Sequence, residues 1–180
     1  MGFLAGLVFR VRVLLLVFEE EGLVGEVAAA VGDGVQAAGE NPVRVVCENG
    51  VLRVKPSEFD LVFLGFEAKG FLKQAAGENV FKAVWENVWK NVKIGVFSVC
   101  SSDAGRLAAS DVADALAAQG ARVLNVLSLK GKKSIFSKTR LSETDLARAR
   151  GFGERTTNNA KQVVVRKESE KHKISGYGRK

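Results

Sequence analysis

Three carboxylates in a row, Glu19, Glu20 and Glu21, stand directly before Gly22 and Gly25. Neighbouring carboxylates serve general acid–base chemistry when their surroundings push their pKa values apart. In water they are a solvated turn with acids near a helix N-terminus, where the dipole favours negative charge. A second grouping, Cys100-Ser101-Ser102-Asp103-Ala104-Gly105, brings together a thiol, two hydroxyls and a glycine. Such residues can cradle a polar ligand, and they serve equally as an ordinary helix cap. Cys100, at a strand end beside a helix N-terminus, has the setting of a lowered-pKa thiol; a buried, inert cysteine is the plainer reading.

Much other chemistry is excluded. The single histidine, His172, lies near the C-terminus, away from any Ser or Asp of the body, so neither a Ser-His-Asp set nor a His-based metal site forms there. Gly131-Lys132-Lys133-Ser134 matches the end of a phosphate-binding P-loop, but Val126 occupies the position that needs the first glycine. Cys47 and Cys100 have no metal spacing, and a reducing, cytoplasmic setting is expected.

The cations are unevenly placed. Residues 1–129 carry a net charge of −3 and residues 130–180 a net charge of +10, which accounts for the chain's +7. Lys130, Lys132, Lys133, Lys138 and Arg140 crowd one stretch; Lys161, Arg166, Lys167, Lys171, Lys173, Arg179 and Lys180 punctuate the end, with Tyr177 among them. Lys and Arg neutralise phosphates and release counterions, and a tyrosine ring stacks on bases or sugars. This patterning predicts that the basic loop and tail bind structured RNA, as in a ribosome-associated or other ribonucleoprotein component.

The elements that position these residues follow from hydrophobic spacing. The apolar run Val13 to Phe18 has no alternation and predicts a strand buried on both faces, over residues 11–18. Val24, Val27, Ala28, Val31 and Val35 share a helical face, so a helix is predicted from 24 to about 38, weakened in the middle by Gly32 and Gly34. Further strands are predicted over 43–47, 59–64, 93–99 and 123–129, with helices over 79–91 and from a Ser101–Asp103 cap to Gln119. Phe81, Trp85 and Trp89 sit four apart and read as the core-facing side of the 79–91 helix, or as a face for a protein partner if one tryptophan is exposed. Residues 130–140 read as a basic loop. Ser142-Glu143-Thr144-Asp145 resembles a capping box for a last helix ending near Asn158, followed by a polar tail. No run of 18 uncharged apolar residues spans a membrane, and the N-terminal stretch is a poor signal peptide.

Five buried-type strands alternating with helices predict an α/β fold with a parallel sheet. The runs RVLLLVF, FDLVFLG, KIGVFSV, LAAQGARVLNVLSLKG and LARARGFGE resemble a flavodoxin-like domain over about residues 11–156. The resemblance implies a three-layer sandwich with strand order 2-1-3-4-5, residues 1–158 forming the domain and 159–180 a basic extension. It also implies three flavin mononucleotide loops. The first, a hydroxyl-rich phosphate turn in the family, corresponds here to Glu19 to Val24, with Gly22 and Gly25 as candidates. The second brings an aromatic residue, matching Phe66 or Phe71, and the third matches Ser101, Ser102 and Gly105. Carboxylates replace the hydroxyls of the first loop, and two unit charges about 4 Å apart repel by about 4 kcal/mol at an effective dielectric near 20. The expectation is therefore a non-enzymatic, RNA-binding body that has lost its cofactor. The alternative is a flavin-binding electron carrier or oxidoreductase of the flavodoxin type.

Overall fold

The computed structural model describes residues 10–19, 21–68, 77–100, 106–134 and 137–175; for 132–134, 137–139 and 163–175 only the backbone course is described. Five parallel strands form one sheet: β1 (Val13–Val17), β2 (Pro42–Val46), β3 (Leu61–Ala68), β4 (Lys93–Cys100) and β5 (Arg122–Lys130). Their order is β2-β1-β3-β4-β5, the flavodoxin-like arrangement. All five residues of β1 are buried, as the unbroken apolar run requires of a strand covered on both faces. Successive side chains go to opposite faces. Leu14 and Leu16 join one core with Val62, Leu64, Phe66 and Ile94; Val13, Leu15 and Val17 join the other with Leu61, Phe63 and Phe97.

Helices α1 (Leu23–Ala37) and α4 (Glu143–Ser175) cover the second face, while α2 (Glu78–Glu86) and α3 (Ala108–Ala118) cover the first. The expected weakness at Gly34 has a packing purpose. A Cβ there would overlap the Arg150 carbonyl of α4, and a Cβ at Gly153 would overlap the Val31 carbonyl of α1. The two helices therefore cross backbone to backbone at these glycines. Between Gly151 and Gly153, Phe152 enters the core and meets the rings of Phe63 and Phe97 edge-on, at centroid distances of 5.7 and 6.4 Å. The Phe97 ring fills the space that a side chain at Gly65, its neighbour across the sheet, would need.

Three expectations change. The helix predicted to Asn91 stops at Glu86, because Asn87 turns extended and the Asn87 amide donates to the Ala83 carbonyl at 2.8 Å. The Trp89 indole N–H donates to the Val84 carbonyl at 2.9 Å. These side chains satisfy the last-turn carbonyls that another helical turn would have used. The basic loop contains an antiparallel hairpin, β6 (Lys132–Ser134) and β7 (Ser137–Arg140). The last helix does not end near Asn158. It runs unbroken to Ser175, started by a reciprocal cap in which the Asp145 N–H donates to Ser142 Oγ and the Ser142 N–H to the Asp145 carboxylate. No proline or glycine interrupts it between Gly153 and Gly176.

Candidate functional site

The chain leaves β1 through α1 to reach β2 on one side, then crosses to β3 on the other. This reversal opens a crevice at the carboxyl ends of β1 and β3, the place where open α/β sheets bind ligands. Its floor is closed by the Phe18 N–H donating to the Gly65 carbonyl at 3.0 Å. Glu19 is half-buried, and Glu21 and Gly22 are exposed. Gly22 adopts φ 80° and ψ −156°, a conformation essentially confined to glycine, and nothing lies within 4 Å of where a Cβ would be. The turn delivers the chain directly into α1, whose N-terminus receives no side-chain cap. Gly25 lies half-buried in the first turn. The first-turn N–H groups have no intrahelical partner, and with the helix dipole they favour an anion. A phosphate therefore fits the backbone of this turn. The side chains lend nothing to it: Glu19, Glu21 and Glu26 add negative charge where a hydroxyl or a cation would help.

The remaining candidates are scattered. Phe66 is fully buried in the core shared with α2 and α3, so its ring is engaged there and not at the crevice. Phe71, Ser101, Ser102 and Gly105 lie outside the described residues. Cys100 is buried at the end of β4 and its thiol donates to the Leu129 carbonyl at 3.4 Å, the setting of an inert cysteine. Cys47, at the end of β2, is likewise buried; desolvation pushes its thiol from 9.0 up to about 11, with the Gly50 backbone N–H pulling the other way. Among the described residues no three His, Cys, Asp or Glu side chains gather as a metal site, and no helix is long and apolar enough to cross a membrane.

The cations do not act as one arm. The β5 strand runs parallel to its neighbours, so Lys130 at its end and Lys132, Lys133, Lys138 and Arg140 on the hairpin lie at the crevice end of the sheet. The α4 helix then returns to the opposite end. There the Lys161 ammonium donates to the Glu40 carboxylate at 2.8 Å and to the Ala38 carbonyl at 2.6 Å, and Glu40 is only 6% exposed. Lys93, at the start of β4, donates to the Ala160 carbonyl at 3.1 Å beside it. Arg166, Lys167, Lys171 and Lys173 ride on the continuing helix beyond this point, and Tyr177, Arg179 and Lys180 lie outside the described residues. The tryptophans also part company. Trp89 is fully buried, whereas Trp85 is 56% and Val88 69% exposed.

Sequence reasoning missed two polar features. One is the Lys161–Glu40 clamp, whose members are 121 residues apart. The other is a hydroxyl pair, the fully buried Ser98 and the half-buried Ser128, 3.2 Å apart on adjacent strands. A serine within each of two apolar runs was the only available signal for the second.

No protein-family profile matches the sequence, and no curated protein matches it. Solved structures do share its fold. The Streptococcus pneumonia TIGR4 flavodoxin superposes with a TM-score of 0.64 at 16% identity, covering 82% of this chain and 98% of that one. The oxidised Flavodoxin 1 from Bacillus cereus gives 0.63 at 15%, covering 82% and 97%. A flavone reductase gives 0.66 at 13%, covering 84% of this chain and 64% of its own. The chain has the flavodoxin-like fold.

These neighbours overturn the expectation of an RNA-binding, ribonucleoprotein component with a cofactor-free body. They are flavodoxins and a flavone reductase, and they favour the flavin-binding alternative. The physical reason is visible in the chain itself. Its positive charge is divided between opposite ends of the sheet, and Lys161 is held by Glu40 inside the body. A charge count along the sequence could not register either fact.

Proposed function

We propose that this protein is a flavodoxin-type electron carrier that binds flavin mononucleotide at the crevice between β1 and β3. The observation that carries this reading is the open glycine turn at Gly22 leading into an uncapped α1 at the sheet's switch point. The first-turn N–H groups of Leu23, Val24 and Gly25 would hold the phosphate, and the ends of β3 and β4 would flank the ring. A bound flavin supplies hydride and one-electron transfer. The chain's own residues bind and orient it. The Phe18–Gly65 hydrogen bond keeps β1 and β3 together at the crevice floor, and the wide apolar sheet beneath excludes water. The buried Cys47 and Cys100 are not joined in a disulfide, which suits work in the reducing cytoplasm.

Supporting this reading, chains with the same fold include a flavodoxin described in its oxidised form. The test is a titration of the purified full chain with flavin mononucleotide, followed by flavin fluorescence quenching and by the absorbance band at about 450 nm. Saturable uptake with quenching is expected. A colourless chain that takes up no flavin from solution would remove the proposal.

A further inference from the structure

The two faces of the sheet are covered unequally. The 15-residue α1 and the long α4 cover one; α2 and α3, of 9 and 11 residues, cover the other. The chain passes from β2 to β3 without an α-helix, through one turn of 3₁₀ helix at Pro56–Glu58. The side with the short helices also holds every exposed large apolar side chain among the described residues. Val43 and Val126 are register partners of Leu14 and Val96, which belong to the core beneath α2 and α3. Leu107 directly precedes α3, Trp85 is on α2, and Val88 follows just past its end. Val51 borders α2, since a Cβ at the adjacent Gly50 would lie 2.7 Å from the Asn79 carbonyl. On α2 itself the half-buried Phe81 and the exposed Trp85 are four apart and share a face. Beside them run Glu78, Lys82 and Glu86, all exposed, also four apart and alternating in sign. None of these three charges is in an ion pair among the described residues.

We propose that the outer face of α2, with Trp85 at its centre, is the interface of a two-fold symmetric dimer of this chain. The charge stripe identifies the occupant. A partner of one charge sign cannot match alternating carboxylates and ammonium, whereas a second copy turned end for end does. Two α2 helices laid antiparallel about an axis level with Val84 put Lys82 of each copy opposite Glu86 of the other. Both Trp85 rings then stand beside the axis, where a large aromatic side chain contributes most to an interface. An axis level with Lys82 would oppose Lys82 to itself and Glu78 to Glu86, so the charges select one register. The same side of the molecule carries other charges that do not lie on this stripe. Arg53 is paired with Glu48 at 3.3 Å, Asp111 and Asp114 belong to α3, and Lys90 lies in the turn past α2. The contact is short, because α2 is only about 14 Å long, so a dissociation constant in the micromolar range is expected. The proposal does not depend on the flavin-binding reading.

The test is sedimentation equilibrium of the full chain, without flavin, from about 1 μM to about 1 mM. The average mass is expected to rise from 19.3 kDa toward twice that value. Salt should weaken the association as it screens the two ion pairs. Trp85→Ser should weaken it by more than about tenfold. Lys82→Glu and Glu86→Lys each set like charges against one another across the axis, and each should weaken it about tenfold. The double variant Lys82→Glu/Glu86→Lys remakes both pairs with their signs exchanged, and should return to within about threefold of wild type. All three side chains are exposed in the single copy, so the variants should fold, and far-ultraviolet dichroism reports that they do. A chain that stays at 19.3 kDa throughout overturns the proposal, whatever other protein covers the face. A dimer that Trp85→Ser leaves intact, or a double variant no stronger than the single ones, overturns it as well. Flavin uptake is measured separately, so either reading can fail without the other.

Discussion

The two ends of this sheet are built from the same strands and treated oppositely. At the amino end the chain is sealed. Lys161 closes on Glu40 and on the Ala38 carbonyl, Lys93 holds the Ala160 carbonyl, and Gly39 and Glu40 end α1 by donating back to Gln36 and Val35. At the carboxyl end the backbone is left open: a glycine turn in empty space, then a helix start without a side-chain cap. Backbone groups closed by long-range contacts hold the fold; those left to solvent are the ones a ligand can use. The contrast predicts that changes at one end move stability, and changes at the other move binding.

The largest effect is expected from Gly34→Val, which breaks the frame common to both ends. The added side chain collides with the Arg150 carbonyl, so α1 and α4 must separate, at a cost of about 3 kcal/mol in urea denaturation. Lys161→Met attacks the sealed end. It leaves the buried Glu40 carboxylate without its cation, and a loss of about 2 kcal/mol is expected, reduced from the fully buried case because Lys161 is partly exposed. Flavin affinity should stay within twofold of wild type; a tenfold loss would show that the ends are not independent. Gly22→Ala attacks the open end, where alanine is strained by about 1–2 kcal/mol, and the turn must rearrange. Flavin affinity should fall about tenfold, with the far-ultraviolet dichroism unchanged.

Two smaller effects sharpen the contrast. Glu21→Gln removes an exposed charge beside the phosphate position and should tighten flavin binding by a factor of about two, more at low salt than at high. Cys47 tests the outer edge of the crevice end. Its thiol is harder to ionise folded than unfolded, so its contribution to stability is complete below pH 9 and is lost as pH rises toward about 11. Wild type should therefore lose stability more steeply than Cys47→Ala between pH 9 and 11, measured as the slope of denaturation midpoints.

How much of this was legible depends on how far apart the cooperating residues are. β1 and the five strands along the chain followed from apolar runs and turn residues within about ten positions of one another, whereas their order in the sheet came only with the family resemblance. The end of α2 did not, because the Phe81, Trp85, Trp89 spacing continues past it. Trp89 is buried from a loop, its indole capping the helix it was expected to extend. Half of the candidate site was legible too. The Gly22 turn and the acids before it stand in sequence as they stand in space, whereas Phe66 was matched to the crevice by the family resemblance alone and lies in the core, as the burial of its residue type favours.

The sequence alone determined the layered α/β architecture, since a period of two or of 3.6 is a local property that survives without knowledge of partners. It also determined where charge is concentrated along the chain. Only the tertiary structure decided where that charge is in space: the cations of 130–140 beside the crevice, Lys161 spent inside the body, and the rest of α4 at the far end. Electrostatic interaction falls with distance through the folded molecule, not with separation along the backbone, and a parallel sheet with a returning helix carries sequence neighbours to opposite ends.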